Sequence, residues 1–447
     1  MKRLHLVSLG CPKNLVDSEV MLGCLERDGY TVVPDPAEAD LLLVNTCGFI
    51  VSAVEEAVDA ILRLAEYKRR NPEKMLVVTG CLVQRYGREL QNELPEVDLF
   101  TGTDGFQEID ALIRRAVAGG SPLLDLRPAR FLMDRSSPRR LSTPVFRSYL
   151  KITEGCDNRC SYCMIPALRG NLRSRTVADL VGEARDLEEQ GVRELSLIAQ
   201  DLTAYGKDLR NGTDLPALLE GLLAATHIPW IRLLYLYPTG INDALLALMA
   251  RESRLLPYLD IPFQHVSDAV LRRMNRPYTG EGLDRLLGRI RSSLPDCAVR
   301  TTLMVGFPGE TEEDVEAMTA CLEKWRLDHV GLFRYADEEG SPAFLLPGKI
   351  GEEEKQRRYD RVMQVQAGIS ARCLQKYVGR IEPVLVEGLS RESDLLLEGR
   401  TRYQAPEIDG CVYITSGTSR PGDIVGVRIT EAHTYDLVGE IAGAASG

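Results

Sequence analysis

Short apolar runs and amphipathic stretches alternate along the first 120 residues of the chain. The apolar runs have the length and composition of buried parallel strands, and the stretches between them repeat apolar positions with the helical period. The predicted strands cover residues 4–9, 41–44, 75–79 and 97–100, and the predicted helices cover residues 14–28, 51–70, 83–93 and 106–118. This alternation predicts a doubly wound α/β domain over residues 1–120.

The same alternation resumes at residue 144, after a segment rich in proline and arginine that predicts a solvated linker over residues 121–143. The predicted strands of this second region cover residues 146–153, 194–199, 231–237, 259–263, 299–305 and 330–335. Six strand–helix units predict a partial TIM-type (βα)6 barrel over residues 144–375, with its functional residues at the carboxyl ends of the strands.

The last part of the chain changes to short strands separated by glycine-containing turns. These strands cover residues 384–387, 395–399, 411–414, 424–429 and 437–441, which predicts a small five-stranded antiparallel β-barrel over residues 376–443. From residue 376 onward, seven Lys and Arg stand against eleven Asp and Glu. Phosphate binding requires cationic residues, so this barrel is expected to meet a basic protein, and nucleic-acid contact is not expected to dominate.

Composition and charge set further bounds. The 447 residues are 44% apolar and 27% charged, with a net charge of −11, which is typical of a globular protein without a general attraction to nucleic acid. No apolar run approaches the ~20 residues that span a bilayer. The eleven cysteines form an odd, scattered set that favours metal ligation in a reducing compartment over disulfides. We therefore expect a cytoplasmic protein without a membrane partner.

Three of the cysteines share one loop at the rim of the predicted barrel. Cys156, Cys160 and Cys163 follow the first barrel strand. Three thiolates leave one position open on a zinc ion, or one uncapped iron in a 4Fe–4S cube. The loop therefore predicts an iron–sulfur cube with an iron free for a small-molecule ligand, and a zinc knuckle with a distant fourth ligand is the alternative.

Three further cysteines occupy equivalent positions in the first domain. Cys11, Cys47 and Cys81 each lie just past a predicted parallel strand, beside a glycine and before a helix. Such strand ends share one edge of the sheet, and the following helices favour thiolates. These cysteines predict a second cluster site, although isolated buried cysteines are common core residues. The remaining five are interpreted as core residues: Cys24, Cys297, Cys321, Cys373 and Cys411.

Arginines follow the three-cysteine loop of the barrel closely. Arg169, Arg173 and Arg175 could neutralise the charge of a cluster or bind a carboxylate through two hydrogen bonds. A solvated basic turn is the alternative.

Several stretches of the chain together match the motifs of one protein family. They are Leu9-Gly10-Cys11-Pro12-Lys13-Asn14, Asn45-Thr46-Cys47-Gly48-Phe49-Ile50, Thr79-Gly80-Cys81-Leu82, the loop 156–163, Ile261-Pro262-Phe263-Gln264-His265 and Val305-Gly306-Phe307-Pro308-Gly309-Glu310-Thr311. On these motifs the chain resembles the methylthiotransferases of the radical S-adenosylmethionine (SAM) superfamily, over essentially its whole length. The resemblance implies an N-terminal α/β domain, a radical SAM barrel and a C-terminal TRAM barrel, in this order.

The resemblance also implies the cofactors. In this family a cube held by Cys156, Cys160 and Cys163 would bind SAM and generate a 5′-deoxyadenosyl radical. Cys11, Cys47 and Cys81 would hold an auxiliary 4Fe–4S cluster that carries the sulfur to be transferred. The expected cofactors are thus two 4Fe–4S clusters and SAM.

Polar residues at the predicted strand ends could contact the SAM molecule. These expected contacts are Tyr162, Gln200, Asp201, Gln264 and His265. An Asp or Gln at a strand end can equally be a helix cap, and a satisfied structural histidine is as common as an acid–base one.

The family has branches that modify either a ribosomal protein or tRNA. Cys11-Pro12-Lys13-Asn14 resembles the ribosomal-protein branch, whereas the tRNA branch usually has Cys-Gln-Met-Asn at this place. The resemblance implies methylthiolation of the β-carbon of an aspartate in ribosomal protein S12, with an electron donor such as flavodoxin or ferredoxin. The alternatives are tRNA adenosine methylthiolation and a non-catalytic iron–sulfur electron carrier.

Overall fold

The N-terminal domain is built on a parallel sheet, in a computed structural model that describes residues 2–119 and 122–443. Its strands are β1 (Lys2–Ser8), β2 (Tyr30–Val32), β3 (Leu41–Thr46), β4 (Met75–Gly80), β5 (Leu99–Thr101) and β6 (Leu123–Asp125). Its helices are α1 (Pro12–Arg27), α2 (Val51–Arg70), α3 (Cys81–Glu93) and α4 (Ile109–Gly119). The order β2-β1-β3-β4-β5-β6 confirms the doubly wound α/β domain.

Two short strands of this sheet differ from the sequence prediction. β2 and β6 have three residues each, too few to show a periodic pattern, and β6 lies within the segment predicted as a linker. The predicted boundary at residues 120 and 121 lies outside the described residues. The segment after β6 is also not fully solvated, since Arg139 is buried between Glu19 of α1 and Glu183 of the next domain.

The central domain is an open parallel sheet with helices on its outer side. Its elements are β7 (Arg147–Lys151), β8 (Thr153–Glu154), α5 (Ile165–Arg169), β9 (Arg173–Ser174), α6 (Val177–Glu189), β10 (Glu194–Ile198), α7 (Leu215–Ala225), β11 (Trp230–Leu233), α8 (Asp243–Arg251), β12 (Leu255–Asp260), α9 (Asp268–Arg273), α10 (Gly280–Ser293), β13 (Ala298–Val305), α11 (Glu312–Trp325) and β14 (His329–Arg334). The six main strands run parallel in the order β14-β13-β12-β11-β10-β7, which confirms the partial (βα)6 barrel.

Helix α12 (Glu352–Leu374) leads to a closed barrel of β15 (Ile381–Leu389), β16 (Leu397–Thr401), β17 (Val412–Ser416), β18 (Ile424–Ala432) and β19 (Leu437–Ile441). The predicted five-stranded barrel is confirmed, but β17 and β19 pair in parallel. Strand direction cannot alternate all the way round a closed ring of five strands, so one pair must be parallel. None of the helices in the described part of the chain combines the length and apolar character needed to span a bilayer.

Buried ion pairs join the domains. Glu194 of the central sheet contacts Arg232 beside it and Arg400 of the small barrel, at 2.7 and 2.5 Å. Burial alone would raise the pKa of the Glu194 carboxyl, but Arg400 and Arg232 outweigh burial and lower that pKa to about 2. On another face, Arg85 of α3 lies 2.7 Å from Glu338 of the central domain. These contacts fix the positions of the three domains relative to one another.

Candidate iron–sulfur and SAM site

Cys11, Cys47 and Cys81, the first triad, lie together at one edge of the N-terminal sheet. They follow β1, β3 and β4, which are neighbours in the sheet and run in the same direction. Cys11 is the N-cap of α1 and Cys81 is the first residue of α3. The structure therefore brings these three cysteines to a common place, as the strand pattern predicted.

Glycines allow the backbones that carry this triad to approach closely. A Cβ atom on Gly10, which has a φ of +93°, would lie 2.9 Å from the Cβ of Cys47. A Cβ on Gly48 would lie 2.6 Å from the Cα of Leu82, directly after Cys81. Any larger residue at either position would push the cysteine loops apart.

Cys156, Cys160 and Cys163, the second triad, lie in the loop between β8 and α5. The Cys156 backbone N–H donates to Gly170 and that of Cys163 donates to Cys160, each at 3.1 Å. The Asn158 side chain donates to Asp201 at 2.8 Å and so fixes the loop against the rim after β10. The loop shape is thus imposed by the protein.

The cysteines of both triads are shielded from water to different degrees: Cys81 and Cys160 are buried, and the other four are partly buried. Burial raises the pKa of Cys47 to about 11, and the neighbouring Cys81 and Cys11 act in the same direction. Burial likewise raises the pKa of Cys163 to about 12, despite the backbone N–H of Ile165. Thiols of this kind become thiolates when a metal replaces the proton.

The donor chemistry of the two triads is compatible with iron–sulfur clusters. Each set has three sulfurs, which leaves one iron of a cube uncapped. Across residues 2–119 and 122–443, no three His, Cys, Asp or Glu side chains meet closely enough to hold one metal ion. Three cysteine thiols in each set are the donors that a 4Fe–4S cube with one open iron would use.

Arg169 connects the two triads across the domain boundary. It ends α5, the helix that follows the second triad, yet its guanidinium lies 3.5 Å from the sulfur of Cys81. The same side chain is 3% exposed and contacts Asp17 of α1 at 2.6 Å and Glu154 at 3.4 Å. Met164, next to Cys163, also packs against Cys81. The two triads therefore face the same boundary.

The other two arginines of this segment have different environments. The Arg175 guanidinium is 1% exposed and contacts Asp179 and Glu183 at 2.7 and 2.6 Å, so it is neither solvated nor beside a cysteine. In the described structure, Arg173 donates to backbone carbonyls. Among these three arginines, Arg169 contacts a cysteine of the first triad, and Arg175 binds carboxylates of the protein itself.

Three expected SAM contacts lie at the rim. Asp201 caps the turn that follows β10 through Thr203 and also accepts from Asn158, so it is a helix cap that positions the three-cysteine loop. Gln200 donates to Glu154 at 3.1 Å, and its buried Oε1 has no hydrogen-bond partner within the described structure. Gln264 has a φ of +68°.

The remaining two expected contacts are packed more tightly. His265 is fully buried, and its ring nitrogens bond to the Ser267 N–H at 3.0 Å and to Glu310 at 3.2 Å. The structure thus gives His265 the environment of the structural alternative, with both nitrogens satisfied. The Tyr162 hydroxyl accepts from Arg276 at 2.9 Å, and its ring packs edge-on against Phe307.

Two residues at this boundary had no role in the sequence analysis. Lys13 is 8% exposed and its ammonium lies 3.3 Å from the ring centroid of Tyr235. Burial lowers the pKa of Lys13, although Cys11 and Asp260 oppose this effect. Lys13 belongs to a motif quoted above, but its partner Tyr235 lies 222 residues further along the chain, so the sequence alone does not show the contact. Tyr235 also has an unusual backbone φ of +64°.

Three family models match successive parts of the chain. The "Uncharacterized protein family UPF0004" matches residues 3–102, the "Radical SAM superfamily" matches residues 150–322, and the "TRAM domain" matches residues 378–442. Their order is that of the three domains described above.

Solved structures support the fold. A radical S-adenosylmethionine methyltransferase, TsrM, from Kitasatospora setae superposes with a TM-score of 0.55 at 17% identity, covering 74% of this chain and 73% of that chain. The cobalamin-dependent S-adenosylmethionine radical enzyme OxsB gives a TM-score of 0.51 at 13% identity, over 83% of this chain and 56% of that one. At these identities the likeness concerns the fold alone.

Curated relatives match over almost the whole chain. A protein of Desulfotalea psychrophila, named ribosomal protein uS12 methylthiotransferase RimO, is 54% identical over 98% of this chain and 99% of its own. A protein of the same name from Geotalea uraniireducens is 49% identical over 98% of each chain. With identity at this level, full coverage and all three domain models in order, the chain belongs to the uS12 methylthiotransferase (RimO) family of radical SAM enzymes.

Proposed function

We propose that this protein transfers a methylthio group to the β-carbon of an aspartate in ribosomal protein uS12. The observation that carries the proposal is the pair of cysteine triads at one domain boundary, linked through Arg169 and Met164. Relatives at 54% and 49% identity bear the name of this activity. A carbon-bound hydrogen that is not acidic cannot be removed by an ordinary base, which is why the reaction calls for radical chemistry.

The two triads have separate roles in this proposal. Cys156, Cys160 and Cys163 would hold the 4Fe–4S cluster that binds SAM, and Cys11, Cys47 and Cys81 would hold an auxiliary 4Fe–4S cluster. When bound, the clusters and SAM supply the electron, the radical and the sulfur. Arg169 contributes a fixed positive charge beside Cys81, which offsets the negative charge of thiolate ligands.

The rim residues orient the components of the second site. Asn158 and Asp201 hold the cysteine loop against the barrel, and the buried carbonyl oxygen of Gln200 is available to accept a hydrogen bond. Gln264, which follows β12, is proposed to contact SAM from the carboxyl end of that strand. His265 supports that strand end through Glu310 and is not proposed to touch the reacting atoms.

The proposed partners follow from charge and chemistry. The C-terminal barrel carries more acidic than basic residues, which suits a basic ribosomal protein and disfavours tRNA. We also propose a cytoplasmic location and a one-electron donor such as flavodoxin or ferredoxin. These proposals can be tested separately from the chemistry.

The substrate is tested by mass spectrometry of a strain that lacks the gene. Loss of the methylthio mass from uS12, and its return with the wild-type gene, is the expected result. An unchanged uS12 mass together with loss of methylthio-adenosine from tRNA would overturn the proposal in favour of the tRNA reaction.

The cluster assignment is tested by anaerobic iron and sulfide analysis. We expect about eight irons per chain in the wild type and about four after either triad is replaced by alanine. Replacement of Cys297, Cys321 and Cys373, which lie outside both triads, is the matched control and should leave the iron content unchanged. About four irons in the wild type would contradict the two-cluster proposal.

A further inference from the structure

Lys13 places a buried cation beside the first triad. It is the second residue of α1 and lies two positions after Cys11. Only 8% of its surface is exposed, and its ammonium lies over the Tyr235 ring at 3.3 Å. Within residues 2–119 and 122–443, this ammonium makes no hydrogen bond or ion pair of its own. A buried lysine in such an environment is costly unless an anion joins it.

The carboxylates near Lys13 are already engaged with other groups. Asp260 contacts Arg300 at 2.9 Å and accepts the backbone N–H of Tyr235 at 3.1 Å. Glu154 accepts from Lys151 at 2.9 Å and from Gln200 at 3.1 Å. Other residues thus neutralise both carboxylates, so the Lys13 ammonium remains available for a ligand.

The ring above Lys13 is held in place by a constrained backbone. Tyr235 has a φ of +64°, a conformation that residues with a Cβ rarely adopt. The carbonyl of Tyr235 accepts from the Leu202 N–H at 2.9 Å, and the N–H of Tyr235 donates to Asp260. Hydrogen bonds therefore hold the peptide groups on both sides of this residue. Strained residues of this kind cluster at functional sites. The aromatic face orients the cation and leaves its N–H groups for a ligand.

We propose that Lys13 binds the side-chain carboxylate of the target aspartate and thereby selects aspartate as the residue to be modified. This inference rests on the proposed function. The β-carbon is bonded directly to that carboxyl group, so a carboxylate held by Lys13 brings the target carbon next to Cys11. The amino acid part of SAM also carries a carboxylate. Lys13 follows Cys11 of the first triad by two positions, which favours the substrate carboxylate, and its ammonium reaches Tyr235 of the central domain, so the experiment must separate the two carboxylates.

The test compares two forms of uS12 with two forms of the reconstituted holoenzyme. The target aspartate of uS12 is kept or replaced by asparagine, which has the same shape without the charge. Binding is measured by calorimetry with wild-type protein and with Lys13→Met. We expect the wild type to bind the aspartate form at least about 30-fold more tightly than the asparagine form. Lys13→Met should bind both forms with equal affinity.

A matched control is Lys2→Met, since Lys2 also lies over a tyrosine ring, at 5.0 Å from Tyr30, but is exposed. It should keep the wild-type preference. The iron content of each variant and its affinity for SAM are measured in parallel. An unchanged affinity for SAM in Lys13→Met, together with the lost preference for aspartate, supports the proposal.

Other outcomes would overturn it. If Lys13→Met weakens SAM binding and keeps the preference for aspartate, the ligand is the SAM carboxylate. If Lys13→Met loses iron and keeps that preference, Lys13 only balances the charge of the cluster. Equal binding of the two uS12 forms by the wild type, whose fold is intact, would also refute the idea. Failure of the wild type to modify uS12 at all would instead refute the proposed function.

Discussion

Replacement of Arg169 by methionine tests the central feature of the site. Its guanidinium is buried between Asp17 and Glu154, with a further hydrogen bond of 3.1 Å to Asn14 and the contact with Cys81. Methionine keeps most of the side-chain volume but removes the charge and all of these bonds. The variant therefore leaves two buried carboxylates with one cation fewer.

The expected loss of stability can be estimated from these contacts. Removal of one partner from a buried ion pair costs about 3–5 kcal/mol. Lys151 still contacts both Asp17 and Glu154 in the variant, so the lower end, about 3 kcal/mol, applies. For a cooperative unit of 150–250 residues this corresponds to a fall in Tm of roughly 6–12 °C.

The assay is thermal unfolding followed by circular dichroism, with iron content measured on the same samples. Arg173→Met is the control, because Arg173 is in the same segment and contacts backbone carbonyls. Arg169→Lys should recover part of the loss, since it can contact Asp17 but cannot also reach Asn14. If Arg169→Met and Arg173→Met unfold at the same temperature, the assigned role of this arginine is wrong.

Two further predictions concern domain docking and the cysteine loops. Arg400 and Arg232 hold the pKa of Glu194 at about 2, below its ordinary 4.5. The carboxylate therefore contributes about 3 kcal/mol above pH 4.5, which is lost as the pH falls towards 2. Thermal unfolding of Glu194→Gln should show a lower Tm than the wild type at pH 7 and the same Tm near pH 2. A difference in Tm that stays the same from pH 7 to pH 2 would contradict this. Gly48→Ala should lose about half of the iron in anaerobic analysis, because its Cβ would meet the Leu82 backbone at 2.6 Å. Gly288→Ala, which meets no atom within 4 Å, should keep all of it, and equal iron in both variants would refute the steric argument.

The sequence predicted the parts of the molecule that depend on local pattern. Cys11, Cys47 and Cys81 were expected at one edge of the sheet because the carboxyl ends of neighbouring parallel strands must share an edge. The structure places them there. The partial barrel was predictable for the same reason, since each strand–helix unit has its own periodicity.

Features that depend on distant partners were not predictable. For Arg169 the sequence left open a contact with a cluster or a carboxylate and a solvated turn, because its partner Asp17 lies 152 residues away in the chain. Arg139 was expected in a solvated linker but bridges two domains. His265 looked like a rim residue because it follows a strand, and only the fold shows that Glu310 and Ser267 occupy both of its nitrogens.

The left-handed backbone of Tyr235 has a consequence for engineering. Replacement by glycine relieves a conformational penalty of about 1–3 kcal/mol, but it also removes a ring that packs against the core, so the two effects on stability oppose each other. The same replacement removes the aromatic surface above Lys13. Under our proposal, glycine at position 235 relieves the strained backbone only by giving up the orientation of Lys13, so this strain is retained for selectivity and is a poor target for engineering durability.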